Sequence, residues 1–188
     1  MAAELFAHQG FHKTTTRQIA ERAGINEAIL FRHFPHKASL YWPVIDEKCR
    51  ETPARKLLAA QLALAEDEKT IFTEVAAALL EQNMADTTLM RLLLFGTLEE
   101  HELTARLVQA YVTSFCDLLA EYIRKRIRAQ VFRPVDATVA AQSFLGMVFS
   151  YLLEQKLFCA ARHQKSGICK VSEMLADIWV EGMRAHPT

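Results

Sequence analysis

The stretch TTTRQIAERAGINEAILFRHFPHK, residues 14–37, indicates the fold of this chain more clearly than any other part. It predicts two short helices joined by a turn at Gly24, followed by the start of a third helix. Thr15 and Gln18 have the spacing of a capping box, and Asn26 is a favoured N-cap for the second helix. Gly24 can adopt the left-handed conformation that ends a helix. Helices arranged in this way can place the second one in the major groove of DNA.

The same stretch carries a local excess of positive charge in an otherwise neutral chain. The whole chain has 22 basic and 22 acidic residues, so its formal net charge is +0. Between residues 12 and 37, five basic residues (Lys13, Arg17, Arg22, Arg32, Lys37) outnumber two acidic ones (Glu21, Glu27). The zero net charge excludes a uniformly basic coat, and the modest local excess favours a small DNA-reading module on a neutral carrier.

The remainder of the chain predicts helices alone. Apolar residues recur with a period near 3.6 in several segments, and no convincing strand or repeat pattern is present. With 188 residues, of which 51% are hydrophobic, the chain is long enough and apolar enough to bury a core. We therefore predict an all-α protein.

Residues 4–41 resemble the DNA-binding segment of the tetracycline-repressor (TetR) family of bacterial regulators. The resemblance implies a homodimer whose N-terminal domains bind a near-palindromic DNA operator, with a C-terminal body that holds a ligand cavity and the dimer interface. We accordingly predict a three-helix helix–turn–helix domain over residues 1–41 and a helical regulatory, ligand-binding and dimerisation domain over residues 42–188. The matching positions keep the family spacing without a gap: Leu5, Phe6, Gly10, Thr15, Thr16, Ile19, Ala20, Ala23, Gly24, Ile25, Leu30, Phe31, His33, Phe34 and Lys37.

The resemblance places the helix that begins after Asn26 in the major groove. There Glu27 can accept from a cytosine amino group, and Ile29 can touch a thymine methyl. The residues that start the preceding helix suit phosphate contacts, because free N–H groups and the helix dipole point outward there. The predicted DNA-binding set is Thr15, Thr16, Arg17, Asn26, Glu27, Ala28, Ile29, Phe31, Arg32, His33 and Lys37.

Two departures from the family pattern affect the expected DNA affinity. Phe31 stands where the family usually has Tyr, so a hydroxyl–phosphate bond is lost. The first helix also begins later than in the family and has no basic N-terminal arm, which predicts weaker DNA binding or a shortened reading frame.

A sensing cavity is expected on the inward faces of the helices between about residues 70 and 157. These faces carry few charges, so the hypothesis is an unknown small, apolar effector oriented by a few polar groups. Each nominated side chain is also suited to ordinary core packing. The predicted lining is Phe72, Phe95, Leu98, Phe115, Leu119, Met147 and Tyr151.

Dimerisation is predicted through the last two helices. Their apolar surface exceeds what one amphipathic helix can cover within a subunit, and pairing across a two-fold axis would bury it. The predicted interface residues are Phe144, Leu145, Val148, Leu152, Leu175, Ile178, Trp179 and Met183.

Other classes of function find little support. No nucleophile elbow, glycine-rich phosphate loop or zinc-protease motif occurs, so we expect no enzyme and no cofactor. Cys159, His163 and Cys169 match no standard zinc spacing, so we expect no metal site. The uncharged run from residue 137 to residue 153 falls short of a membrane span, and no secretory signal is evident, so a cytoplasmic protein is expected.

Two alternatives remain open beside a ligand-responsive repressor. One is a helical ligand-binding module that carries a helix–turn–helix without binding DNA. The other is a non-specific architectural DNA-binding protein, for which a more basic net charge would be expected.

Overall fold

The computed structural model describes residues 1–50, 58, 60, 67–99, 112–158 and 167–185. The ordered elements in these ranges are helices, beside one isolated bridge between Phe132 and Arg184, and the predicted all-α class is confirmed. The helices are α1 Ala2–Lys13, α2 Thr16–Ala23, α3 Glu27–His33, α4 Lys37–Arg50, α5 Glu68–Ala85, α6 Thr88–Leu98, α7 Ser114–Arg128, α8 Ala137–Lys156 and α9 Ile168–Met183.

The chain divides into two compact units that are discontinuous in sequence. Unit 1 comprises Met1–Thr52 and Asp86–Val112, and unit 2 comprises Pro53–Ala85 and Thr113–Thr188. Helix α6, from the middle of the chain, is therefore grouped with the four N-terminal helices. The predicted functional boundary between residues 41 and 42 remains a prediction.

The core of unit 1 is built on aromatic side chains from α1 and α4. Phe6 and Tyr41 pack edge to face with ring centroids 4.8 Å apart, and Phe11 meets the same Tyr41 ring at 4.9 Å. Edge-to-face geometry is the favoured arrangement, because the positive edge of one ring meets the negative face of the other. Leu30 from α3 and Leu92 from α6 are buried in the same cluster. The short helices α2 and α3 are thus anchored by a few inward side chains.

The core of unit 2 is a second aromatic cluster, formed by α5, α8, α9 and the segment after α7. The rings of Phe72 and Trp179 lie 4.3 Å apart, and Phe72 also meets Phe144 edge to face at 4.8 Å. Phe132 packs against Trp179 at 5.7 Å. The indole N–H of Trp179 donates to the hydroxyl of Ser143 at 2.9 Å, so the polar atom of this large ring is satisfied.

Helix α8 is the one helix in the described parts of the chain that is long and apolar enough to cross a membrane, with a mean hydropathy of 1.2. Its side chains at Ala141, Phe144 and Val148 are buried within unit 2. These positions recur at intervals of three and four residues, so they form one inward stripe of the helix.

Candidate nucleic-acid interface

Helix α2 is fixed at both ends by its own sequence. The Thr15 hydroxyl accepts from the Gln18 amide at 3.2 Å, and the Gln18 side chain accepts from the Thr15 amide at 2.9 Å, which confirms the predicted capping box. Gly24 ends the helix in the left-handed region with φ of 68°. The amide of Ile25 donates to the Ala20 carbonyl at 3.0 Å. The turn into the next helix is therefore determined locally.

Helix α3 presents one face to solvent and one residue to the core. The Asn26 side chain accepts from the Ala28 amide at 2.9 Å, as expected for an N-cap. Leu30 points into the unit 1 core, whereas Ile29 and Phe31 on either side are 41% and 42% exposed. The exposed members of the predicted recognition set on and beside this helix are Asn26, Ala28, Ile29, Phe31, Arg32 and His33.

Glu27 joins the starts of α2 and α3. The hydroxyl of Thr16 donates to the Glu27 carboxylate at 2.7 Å, and both side chains are partly buried. A charge-assisted bond of this length is among the stronger side-chain contacts. One carboxylate oxygen is thus used to hold the two helices together. The predicted contact with a cytosine amino group remains a prediction for the other oxygen.

Two of the basic residues near α2 are paired with carboxylates. Arg17 lies 2.8 Å from Glu21 along the exposed face of the helix, and this pairing raises the pKa of Arg17. Arg22 lies 3.3 Å from Glu4 on α1. Exposed ion pairs of this kind exchange readily with other partners, so Arg17 stays accessible to a phosphate. Thr15 is also exposed at this end of α2.

The predicted phosphate contact of Lys37 is corrected, because its ammonium group binds backbone carbonyls inside unit 1. It donates to the carbonyls of Phe11 at 2.7 Å, Thr14 at 2.9 Å and His12 at 3.3 Å. It also lies 4.3 Å from the centre of the Phe11 ring. Burial lowers the pKa of Lys37, and the charge of Glu99 acts in the opposite direction. A lysine has three N–H donors, so none remains for the predicted phosphate contact.

A family model described as bacterial regulatory proteins, tetR family, matches residues 1–41. Residues 1–41 therefore form a DNA-binding segment of the tetR type. With this segment, the chain is a DNA-binding regulator. The match covers α1 to α3 and the first residues of α4, so it coincides with the segment whose outward helix is described above.

Similarity to known proteins extends beyond that segment. The chain is 28% identical over 158 residues to the nucleoid occlusion factor SlmA of Photobacterium profundum, covering 79% of this chain and 76% of the relative. The TetR-family regulator PfmR of Thermus thermophilus is similar in structure, with a TM-score of 0.73, 18% identity and coverage of 96% and 94%. AibR, solved with isovaleryl coenzyme A and operator DNA, has a TM-score of 0.70, 21% identity and coverage of 98% and 94%. At these identities the structural likeness concerns the fold.

The predicted effector-lining residues are divided between the two units. Phe72 and Leu119 are fully buried in the unit 2 core, and Phe115 is half-buried on α7. Phe95 and Leu98 lie on α6 in unit 1, where Leu98 is 80% exposed. Met147 and Tyr151 line a surface groove of about 710 Å³ with Leu175, whereas Phe72, Phe115 and Leu119 of the same unit do not line it. The five residues of unit 2 therefore do not share this groove, and an effector cavity lined by the whole set remains a prediction.

The predicted dimer-interface residues also divide into two groups. Five of the eight are buried inside the subunit, so they present no surface to a partner: Phe144, Val148, Leu152, Trp179 and Met183. Helix α5 covers more of this apolar surface than the sequence predicts, since α5 packs extensively against α9 and also against α8. Ile178 is 58% exposed, and Leu145 and Leu175 are half-buried.

Several residues that shape this site were absent from the sequence prediction. Glu99 accepts from the Phe11 amide at 2.8 Å, and Arg91 donates to the Ala7 carbonyl at 2.9 Å. Both bonds join residues more than 80 positions apart, as the separations of 88 and 84 show. No local pattern reveals such pairings. Met174 and Phe149 are exposed apolar residues that the helical spacing would have revealed.

Of the three residues weighed as zinc ligands, Cys169 is the one within the described ranges. Within the described ranges, no group of three or more His, Cys, Asp or Glu side chains is placed to hold a metal ion. Cys159 and His163 lie outside the described residues. The thiol of Cys169 donates to the Glu173 carboxylate at 3.3 Å, and this bond raises the pKa of Cys169.

Proposed function

We propose that this TetR-family chain is a homodimeric repressor that binds a near-palindromic operator through α3 and is released by a small-molecule effector. The observation that carries the proposal is the outward face of α3. Leu30 anchors that helix from behind, while the apolar Ile29 and Phe31 stay exposed beside Arg32. Base edges with thymine methyls and guanine acceptors are a surface that such a mixed face fits.

The operator proposal is tested by selection from a randomised duplex library, followed by footprinting on the recovered sequence. Arg32→Ala should weaken binding and relax the preference at one base position, since a bidentate arginine–guanine contact discriminates by about 1–3 kcal/mol. Arg128→Ala removes the same charge from an exposed position in unit 2 and serves as the matched control. Equal losses in the two variants, or the absence of a preferred sequence, would contradict the proposal.

The proposed dimer face combines the exposed stripes of α8 and α9. On α8, Gly146, Phe149 and Ser150 are exposed, and small residues there permit close approach of a second helix. On α9, Met174 and Ile178 are exposed at a four-residue interval, with 52% and 58% of their surfaces in solvent. This face replaces the buried residues of the sequence prediction and keeps Leu145, Leu175 and Ile178. Binding to both half-sites requires the two α3 helices of the dimer to lie about 34–36 Å apart, which matches successive major grooves.

The proposed effector acts by population shift. A ligand releases DNA when it binds better to a conformation whose recognition helices no longer match the groove spacing. The complex of AibR with isovaleryl coenzyme A makes short acyl thioesters of coenzyme A the first compounds to test. Addition of isovaleryl coenzyme A to a preformed complex with the selected duplex should raise the dissociation constant. If that compound and other acyl thioesters of coenzyme A leave the constant unchanged, this class of effector is excluded.

A second candidate function is nucleoid occlusion, favoured by the similarity to SlmA over 79% of the chain. In that case binding sites would be distributed along the chromosome rather than confined to promoters. Chromatin immunoprecipitation with sequencing separates the two candidates, together with microscopy of septum position relative to the nucleoid. Sites restricted to a few promoters, with normal septum placement in a deletion strain, would support the repressor.

The proposed setting is the cytoplasm, where a bacterial operator is accessible. DNA and a second copy of the chain are the proposed macromolecular partners, and no membrane partner is proposed.

A further inference from the structure

Helix α1 is interrupted at Gly10 and ends at Lys13, directly before Thr14. Gly10 has φ of 81° and ψ of 173°, so the helical path is broken there although helix continues to Lys13. The Thr14 side chain is fully buried, and its hydroxyl donates to the Gly10 carbonyl at 2.7 Å. The break and the helix end leave backbone groups that need partners from elsewhere.

Two side chains of opposite charge supply those partners. The Glu99 carboxylate, just after α6, accepts from the Phe11 amide at 2.8 Å. The Lys37 ammonium, at the start of α4, donates to the carbonyls of Phe11, His12 and Thr14. We call Lys37 and Glu99 the α1 clamp. Each partner matches its role, since a carboxylate only accepts and an ammonium only donates.

The position of the α1 clamp links it to the DNA-contacting residues. Thr14, whose carbonyl Lys37 holds, directly precedes Thr15, the N-cap of α2. The predicted phosphate contacts Thr15, Thr16 and Arg17 therefore begin one residue beyond the clamped segment. A small displacement of this segment would move the start of α2 with it, because Thr14 and Thr15 are joined by a single peptide bond.

We propose that Lys37 and Glu99 are positioning residues for DNA binding, which fix the start of α2 without touching the DNA. This inference rests on the proposed operator binding. It assigns Lys37 a role different from the phosphate contact expected from the sequence. It also assigns Glu99 a role in DNA binding, although its negative charge repels phosphates.

The two residues can be tested separately because positioning and charge predict different results. A phosphate contact contributes to the salt dependence of the binding constant, with a slope of about −0.9 for each phosphate neutralised. A positioning residue changes the affinity but not this slope. For Glu99, simple electrostatics predicts tighter DNA binding once the negative charge is removed, whereas positioning predicts weaker binding.

The experiment measures the dissociation constant of the full chain on a labelled duplex over a salt series. The duplex carries the sequence selected by the wild type. Lys37→Gln should weaken binding about tenfold or more through lost charge-assisted hydrogen bonds, with the wild-type slope retained. Arg17→Gln removes the same charge and should reduce the slope by about 0.9. Glu99→Ala should weaken binding, and Glu99→Gln, which keeps a neutral acceptor for the Phe11 amide, should weaken it less.

Hydrogen exchange provides a readout that does not depend on DNA. Peptides covering residues 10–14 should exchange faster in Lys37→Gln and Glu99→Gln than in the wild type, at a temperature where all three are folded by circular dichroism. This measurement also keeps the test informative if Glu99→Ala does not fold.

The contrary outcomes are distinct from failure of the proposed function. A wild type without a preferred duplex would contradict operator binding, and the same salt series on a mixed-sequence duplex would still test the clamp. Wild-type affinity in folded Lys37→Gln, a reduced slope in that variant, or tighter binding by folded Glu99→Ala would each overturn the inference.

Discussion

At the residue scale, Gly10 and Gly24 share a positive φ but have different surroundings. Gly24 has φ of 68° and open space where a Cβ would lie. At Gly10, with φ of 81°, a Cβ would come within clashing distance of the Glu99 carboxylate. Gly24 is therefore needed for backbone conformation alone, whereas Gly10 is needed for both conformation and space.

We predict that Gly10→Ala destabilises the chain more than Gly24→Ala. A left-handed alanine costs about 1–2 kcal/mol, which is the expected loss at Gly24. Gly10→Ala should exceed that value because it also displaces Glu99 from the Phe11 amide. Urea unfolding measures both variants. In a Glu99→Ala background the cost of Gly10→Ala should fall towards that of Gly24→Ala, and an unchanged cost would contradict the proposed clash.

Gln130 offers a prediction of the opposite sign. Among the described residues it is the one non-glycine residue with positive φ, at 58°, and it follows Ala129, the C-cap of α7. We predict that Gln130→Gly stabilises the chain by about 0.5–1 kcal/mol, because glycine avoids the left-handed penalty. The neighbouring Ala129, with φ of −79°, is the matched control, and Ala129→Gly should destabilise. Equal effects of the two substitutions in thermal unfolding would contradict this explanation.

At the element scale, the packing of α7 against α5 places an ionisable ring in a partly buried position. Tyr122 on α7 packs against Phe72 on α5, with ring centroids 6.2 Å apart. Arg126, one turn further along α7, pairs with Glu68 at the start of α5. Burial, followed by the charge of Glu68, raises the pKa of Tyr122 from 10.0 to about 12. This contact therefore depends on the neutral phenol.

The raised pKa of Tyr122 predicts a loss of stability in alkaline solution. The unfolded chain releases this proton near pH 10.0 and the folded chain near pH 12, so folding is favoured by the bound proton. The contribution is complete below pH 10 and is lost as the pH rises towards 12. The difference in unfolding free energy between wild type and Tyr122→Phe, measured by denaturation across this range, should shift in favour of the variant. A constant difference would contradict the assignment.

At the scale of the whole molecule, the exposed stripes of α8 and α9 matter most for the proposed function. Met174 and Ile178 lie outside the aromatic core that holds these helices in unit 2. Apolar side chains at helical spacing on one face are typical of a contact with another helix pair. DNA binding to both half-sites depends on this contact, because one subunit carries one recognition helix.

We predict that Ile178→Glu converts a wild-type dimer into a monomer at micromolar concentration and weakens binding to the two-half-site duplex. A charge buried at a two-fold face meets its own copy, and this repulsion adds to the loss of apolar contact. Val135→Glu is the control, because Val135 is exposed in unit 2 but lies outside both helices. Analytical ultracentrifugation measures the assembly state. A monomeric wild type, or a dimeric Ile178→Glu, would contradict the proposed face.

The helix caps and the turn of the DNA-binding segment could be predicted from the sequence, because each depends on interactions between residues a few positions apart. The capping box of Thr15, the left-handed Gly24 and the N-cap of Asn26 each involve neighbours in sequence, and the structure confirms these local features. The all-α class could be predicted for the same reason, since the 3.6-residue period of apolar residues is visible within each segment. Leu30 is buried while its neighbours Ile29 and Phe31 are exposed, so α3 has one outward face.

Long-range partners required the tertiary structure. Lys37 carries a charge that suits a phosphate, yet folding brings it to three carbonyls at the end of α1, and Glu99 reaches the same place from a distant segment. Phe144 and Trp179 have the spacing of an interface but are buried by α5. The physical reason is the same in each case: sequence spacing specifies which side of a helix a residue occupies, and only packing specifies what covers that side.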